Sequence, residues 1–301
     1  MYVILGATGN TGSVIANVLL DMGKKVRVVG RDAKKLAPFV SRGAQAFAAD
    51  VLDKEALCRA FEGVEAAYTL TPPNLASNSY RVYQDQVTDS VAGALEATGV
   101  KYAVTLSSFG ADKPDKTGPV LGLHYMETRF AKISGLNALH LRAGYFMENT
   151  LPQTGIIQQF GMMAGPVNGD LHVPMIATRD IGAAAADALL RLNFTGQQTR
   201  ELLGQRDISY NEIARIVGAA IGRPALAYIQ LPAEQVIMAM AQMGMSKNVA
   251  GLLCEMSDAL NSGYMKPLEA RTDANTTPTS FETFVQEEFL PAFRDAKTAS
   301  A

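Results

Sequence analysis

The chain has 301 residues, of which 48% are hydrophobic and 19% charged, enough apolar material for one large domain or two closely joined ones. Lys+Arg 27 against Asp+Glu 29 leaves a formal charge of −2, so there is no global basic excess to draw nucleic acid or an anionic membrane. No apolar run reaches bilayer-spanning length, the first residues enter a strand pattern without a charged leader, and Cys58 and Cys254 lack metal-ligand spacing; a cytoplasmic chain with reduced thiols is expected.

Taken in order, the chain opens on a short β-branched run, Tyr2 to Leu5, followed by the glycine-rich GATGNTG and the helical pattern SVIANVLLDMG. A second strand is expected over Lys25 to Val29, a helix from about Asp32 to Arg42, a short strand AQAFAAD and a helix beginning near Asp53. Next come the strand EAAYTL, the loop TPPNLAS, a long amphipathic helix over Tyr80 to Thr98 and the strand KYAVTLSS. A loop over Gly110 to Gly122 leads to a helix at His124 to Ser134 and the strand NALHLRAG. This alternation, without an internal repeat, predicts an α/β fold: a Rossmann-type, doubly wound parallel sheet.

Beyond residue 150 the rhythm loosens. Residues 151–301 read as a smaller, mainly helical substrate or lid region, partly interleaved with the sheet of an NAD(P)-binding domain at 1–150. Ser209 to Glu212 fits a helix-capping box. Met238, Met240, Met243 and Met245 fall within Ala233 to Met245, a composition more usual in a packed core than against a planar ligand. The final DAKTASA has no apolar periodicity and is expected to fray.

The spacing Gly6-x-x-Gly9-x-x-Gly12 between a strand and a helix has a physical reading. Gly6 permits the tight turn, Gly9 lets backbone approach a pyrophosphate, and Gly12 lets the helix pack on the strand; Thr8, Asn10 and Thr11 complete the cradle. At the end of the second strand Arg31, with Lys35 beyond it, suits the 2′-phosphate of NADP(H), so NADP(H) is preferred over NAD(H); Asp32 is a ribose ligand or a helix cap. Asp50 and Val51 belong beside the adenine. Thr71 and Pro72 close the fourth strand, and Ser107 the fifth, at the edge where ligands of such sheets bind. His140 and His172 read as structural, and three scattered histidines make no metal site.

As a set, GATGNTG, GR after the second strand, AAD, TLTPP, LSS and SGLNALHLRAGYFMEN resemble the NmrA-like branch of the atypical short-chain dehydrogenases, most strongly over Met1 to Asn149. The segment VPMIATRDIGAAAADALL extends the likeness. The resemblance implies a Rossmann domain that binds NADP(H), a smaller substrate region, and one of two outcomes. One is a quinone- or azo-type reductase; the other is a non-enzymatic, cofactor-binding redox sensor.

Ordinary short-chain dehydrogenases carry a Tyr-x-x-x-Lys pair on the helix after the fifth strand, and this chain has none. Val120 stands where the tyrosine would be and His124 where the lysine would be. His124 resembles the histidine found there in some quinone-reducing members, and Tyr125 beside it points elsewhere on a helix. The expected chemistry is direct hydride transfer to a small aromatic, quinone-like or azo acceptor. His124, Ser107 and Tyr145 are its candidate catalytic residues; His124 and Ser107 also contact the cofactor, and Tyr145, Phe146 and Asn149 wall the acceptor. The expected assembly is a monomer or homodimer, without nucleic-acid or membrane partners.

Overall fold

The computed structural model describes residues 1–299, with side chains through 295. The first half alternates as β1 (Tyr2–Leu5), α1 (Asn10–Asp21), β2 (Val26–Gly30), α2 (Ala33–Val40), β3 (Gln45–Ala48), α3 (Lys54–Phe61), β4 (Ala66–Thr69), α4 (Tyr80–Thr98), β5 (Tyr102–Ser108), α5 (Val120–Phe130) and β6 (Asn137–Ala143). β7 (Tyr145–Phe146) and a 3-10 turn (Met147–Thr150) lead to α6 (Gln153–Phe160), β8 (Met163–Gly165), β9 (Val173–Ile176) and α7 (Thr178–Arg191). Then come β10 (Gln197–Leu202), β11 (Arg206–Ile208), α8 (Tyr210–Ala220), β12 (Tyr228–Gln230), α9 (Ala233–Gln242) and α10 (Lys247–Asn261). The chain ends in α11 (Phe281–Phe284), a π-helical turn (Val285–Phe289) and α12 (Leu290–Ala299).

Seven strands form one parallel sheet in the order β10-β6-β5-β4-β1-β2-β3, a doubly wound Rossmann-type α/β fold. Side-chain alternation along β1 explains why both faces are covered. Tyr2 and Ile4 enter the core under α1 and α7, whereas Val3 and Leu5 enter the core under α3, α4 and α5. The chain returns to this sheet after residue 150: α7 packs against α1, and β10 pairs with β6 from Gln197↔Ala138 to Leu202↔Ala143. A third core joins the remaining elements around Ile157, Met175, Ile213, Phe281, Phe284 and Phe289.

Several expectations are corrected. The helix after β5 begins at Val120 and ends at Phe130, earlier than the expected His124 to Ser134. Gly118, at φ +56, lies against the carbonyl of Leu252 and closes the loop there; Gly122 is a helix-packing position beside the Gln84 side chain. The region after Arg179 is mainly helical, as expected, with the short strands β10, β11 and β12 within it. β10 reads poorly as a strand because its first three residues are exposed at the sheet edge. The Met-rich α9 is not core: its single buried residue is Val236, and Met238 is 57% and Met243 66% exposed. α12 starts at Leu290 and, with Leu290 and Phe293 packed on the third core, runs through Ala299 into the DAKTASA segment, whose last residues, 300–301, lie outside the described residues.

Candidate functional site

The winding of the sheet reverses between β1 and β4, and adjacent crossovers leave a crevice outside the carboxyl ends of the strands there. A cavity of about 750 Å³ occupies that position. It runs from Arg31 and Asp50 past Gly6 to Thr11, under Leu70 and the Pro72 to Ala76 loop, to Leu106, Phe146, Glu148, Asn149 and Thr178.

The glycine turn is built from steric limits. Gly6 takes φ +63, and the Gly9 amide donates to the Gly6 carbonyl at 2.8 Å, folding the turn on itself. A Cβ on Gly12 would sit 2.3 Å from that carbonyl, so only glycine lets α1 start this close to β1. A Cβ on Gly9 would meet only the Gly6 oxygen, at 3.2 Å, leaving its outer face to the exposed cleft. α1 has no side-chain cap and no acid in its first turn, so its free N–H groups and dipole are left for an anion. Thr11 is buried and accepts the Tyr68 hydroxyl at 2.8 Å. Burial pushes the Tyr68 phenol far above its ordinary value, so it remains a donor and Thr11 keeps its own proton for another partner.

At the next strand end Arg31 is exposed and lines the cavity, while Asp32 caps α2 by accepting the Lys34 amide at 2.9 Å. That cap turns Asp32 to the helix. Lys35 is exposed on α2 but does not line the cavity. Asp50 accepts the Leu52 amide at 2.9 Å in an Asx turn, and Asp50, Val51 and Leu52 all line the wall. Tyr83 faces the same end. Its hydroxyl donates to the Pro72 carbonyl at 2.9 Å; burial and then Asp50 push the phenol up, and Arg31 opposes them.

The other end brings together fewer of the residues expected from sequence. Phe146 and Asn149 line the cavity; Thr71, Ser107, His124 and Tyr145 do not. Ser107 is 1% exposed and donates to Glu127 at 2.6 Å, where Glu127 also holds Arg142 through two contacts of 3.0 and 2.6 Å. His124 sets its Nδ1 2.8 Å from the Ala111 carbonyl, an N–H donation that braces the loop before α5 and leaves Nε2 as the other functional atom. Tyr125 donates to Asp89 at 2.9 Å on the surface. The Tyr145 phenol is raised by burial and interacts with that of Tyr210, which stacks on Tyr228 at 4.7 Å between ring centroids. His140 is buried, 2.7 Å from the Thr105 hydroxyl, and His172 is exposed.

Sequence reasoning missed Glu148 and Thr178, which meet in the cavity wall, and Tyr83 and the Asn74 to Ala76 stretch. The only local signal for Glu148 is an acid directly before Asn149. The loop is held from far along the chain: the Ser246 amide donates to the Leu75 carbonyl at 2.8 Å, and Asn248 caps α4 by accepting the Tyr80 amide at 2.9 Å.

Known proteins are similar to this chain in sequence or in fold. An NAD(P)H azoreductase of Xenophilus azovorans is 30% identical over 258 residues, 85% of this chain and 86% of that one. The NADPH complex of the NADPH-dependent quinone oxidoreductase QOR2 of Escherichia coli has a TM-score of 0.82 at 22% identity, covering 96% of this chain and 100% of that one. The NADP(H) complex of the triphenylmethane reductase of Citrobacter sp. has a TM-score of 0.79 at 18% identity, covering 95% and 99%. The model of the NmrA-like family matches residues 2–290, and with the glycine turn, the winding and the cavity already in place, the chain belongs to that family.

Proposed function

We propose that the protein is an NADPH-dependent oxidoreductase that passes hydride to a small quinone-like or azo acceptor without a Tyr-Lys catalytic pair. The observation that carries this reading is the cavity over the β1/β4 reversal, with an uncapped helix start on one side and Arg31 at the end of β2. The backbone from Gly6 to Gly12, with Thr8, Asn10 and Thr11, holds the pyrophosphate. Arg31 pairs with the 2′-phosphate through its planar fork, with Lys35 adding charge from α2. Asp50 and Val51 flank the adenosine.

A bound NADPH supplies the hydride from C4 of its nicotinamide. The chain then needs only to position the two reactants and exclude water. Pro72 shapes the cofactor's far side with Thr71 and Ser107 behind the lining, and Phe146 and Asn149 wall the acceptor with Tyr145 behind them. His124, braced on Ala111 through Nδ1, stands outside the cavity lining, and its role in this reading is to hold the nicotinamide ribose or return a proton through Nε2 where those groups reach past the wall. The free thiols Cys58 and Cys254 fit a cytoplasmic setting.

The test is NADPH oxidation against a panel of quinones, azo dyes and simple ketones. Turnover of quinones or azo dyes with little ketone reduction is expected, because ketones need an acid to stabilise the developing alkoxide. Tight NADPH binding with no turnover of any acceptor would instead favour a cofactor-binding sensor.

A further inference from the structure

Glu148 holds its two carboxylate oxygens in unlike surroundings. It sits in the 3-10 turn after β7, and one carboxylate oxygen, Oε1, accepts the Thr178 amide at 2.8 Å and the Thr178 hydroxyl as well. Two donors at the start of α7 therefore fix the carboxylate, and the helix dipole complements its charge. The second oxygen, Oε2, is buried and has no hydrogen-bond partner. A desolvated carboxylate oxygen without a donor is an uncompensated cost in a folded protein unless a ligand supplies the donor.

The surroundings narrow what that ligand group is. The neighbouring acid Glu288 is raised by burial and by Glu148 itself, so it adds no positive charge. Arg179 is taken by Glu287 and Thr279. Glu148 lies in the cavity wall with Leu106, Phe146 and Asn149, whereas the glycine turn and Arg31 belong to the other end. An anionic group is repelled here. A flat ring flanked by Leu106 and Phe146 and carrying a neutral N–H donor fits.

Resting on the NADPH reading, we propose that Glu148 Oε2 is the acceptor for the carboxamide N–H of the nicotinamide, and so orients the ring in the cavity. Thr178 is the positioning residue that holds this carboxylate in place. Glu148→Gln tests the assignment with little change of shape: the amide oxygen keeps the two Thr178 donors, which turns an NH₂ donor toward the carboxamide.

Calorimetric titration of wild type and Glu148→Gln should use NADPH, the 3-acetylpyridine analogue that lacks carboxamide N–H groups, and adenosine 2′,5′-bisphosphate, which lacks the nicotinamide riboside. The variant is expected to bind NADPH about tenfold or more weakly, with the bisphosphate unchanged. Wild type is expected to favour NADPH over the acetylpyridine analogue by a similar factor, and the variant to lose that preference. Equal NADPH affinity in both proteins, or parallel loss of bisphosphate binding, overturns the assignment; so does a wild type indifferent to the acetylpyridine change, a comparison that needs no variant. Wild type that binds neither NADPH nor the bisphosphate overturns the cofactor reading itself, a result distinguishable from the others.

Discussion

The two ends of the cavity are made differently. The end at Gly6 to Thr11, Arg31 and Asp50 is assembled from short runs that follow directly on β1, β2 and β3, and its main instruments are backbone groups. The end at Leu106, Phe146, Glu148 and Thr178 draws on four separate elements, and its polar groups are side chains whose orientation depends on partners distant in sequence. Backbone placed by a glycine turn tolerates little variation, whereas side chains on a shared sheet edge can be exchanged without disturbing the strands. On the proposed reading, the phosphate and adenosine contacts therefore belong to the fold, and the placing of nicotinamide and acceptor to the far wall.

That contrast can be broken most forcefully at the glycines. Gly12→Val should destabilise by about 3 kcal/mol or more, since its Cβ would lie 2.3 Å from the Gly6 carbonyl. Gly9→Val should cost far less stability than Gly12→Val yet lose cofactor affinity, because its Cβ would meet only the Gly6 oxygen, at 3.2 Å. Thermal melts paired with NADPH titrations separate the two, and identical behaviour of both variants would erase the distinction between packing and ligand glycines.

Glu127→Ala, behind the far end, should cost about 3 kcal/mol. It strands Arg142, whose side chain is 11% exposed, and also removes the partner of Ser107. Chemical denaturation measures this. Ser107→Ala, which leaves the ion pair intact, should cost about 1 kcal/mol.

Arg31→Ala sharpens the comparison at the near end. It should weaken NADPH binding by about 1.5–3 kcal/mol while leaving NADH affinity nearly unchanged. An unchanged preference in calorimetry would remove Arg31 from the 2′-phosphate site.

The smallest effects are expected on α5. His124→Ala should lower quinone turnover by about tenfold, a barrier change of about 1.4 kcal/mol, since positioning is shared with the backbone. Tyr125→Phe loses only a surface hydrogen bond to Asp89 and should leave turnover nearly unchanged. Ketone reduction abolished by Tyr125→Phe would move the proton donor to that hydroxyl.

The sequence by itself determined the parallel sheet, the glycine turn and the basic residue after β2, because each is a local constraint. Strands buried on both faces read as apolar runs, a positive φ at Gly6 calls for glycine, and a residue at a strand end needs no other element to reach the crevice. The helix over Tyr80 to Thr98 was legible throughout for the same reason, its periodicity ending at Gly99 with φ +65. Tertiary structure decided the rest. β10 is a strand because β6 offers it an edge, not because QQTREL alternates. α5 starts at Val120 because Gly118 meets the Leu252 carbonyl from α10, a contact across more than a hundred residues that no window of sequence contains. Glu148 became a fixed carboxylate because Thr178, thirty residues on, presents two donors to one of its oxygens. A hydrogen bond between distant residues depends on how the intervening elements pack, and that is settled only when the cores close.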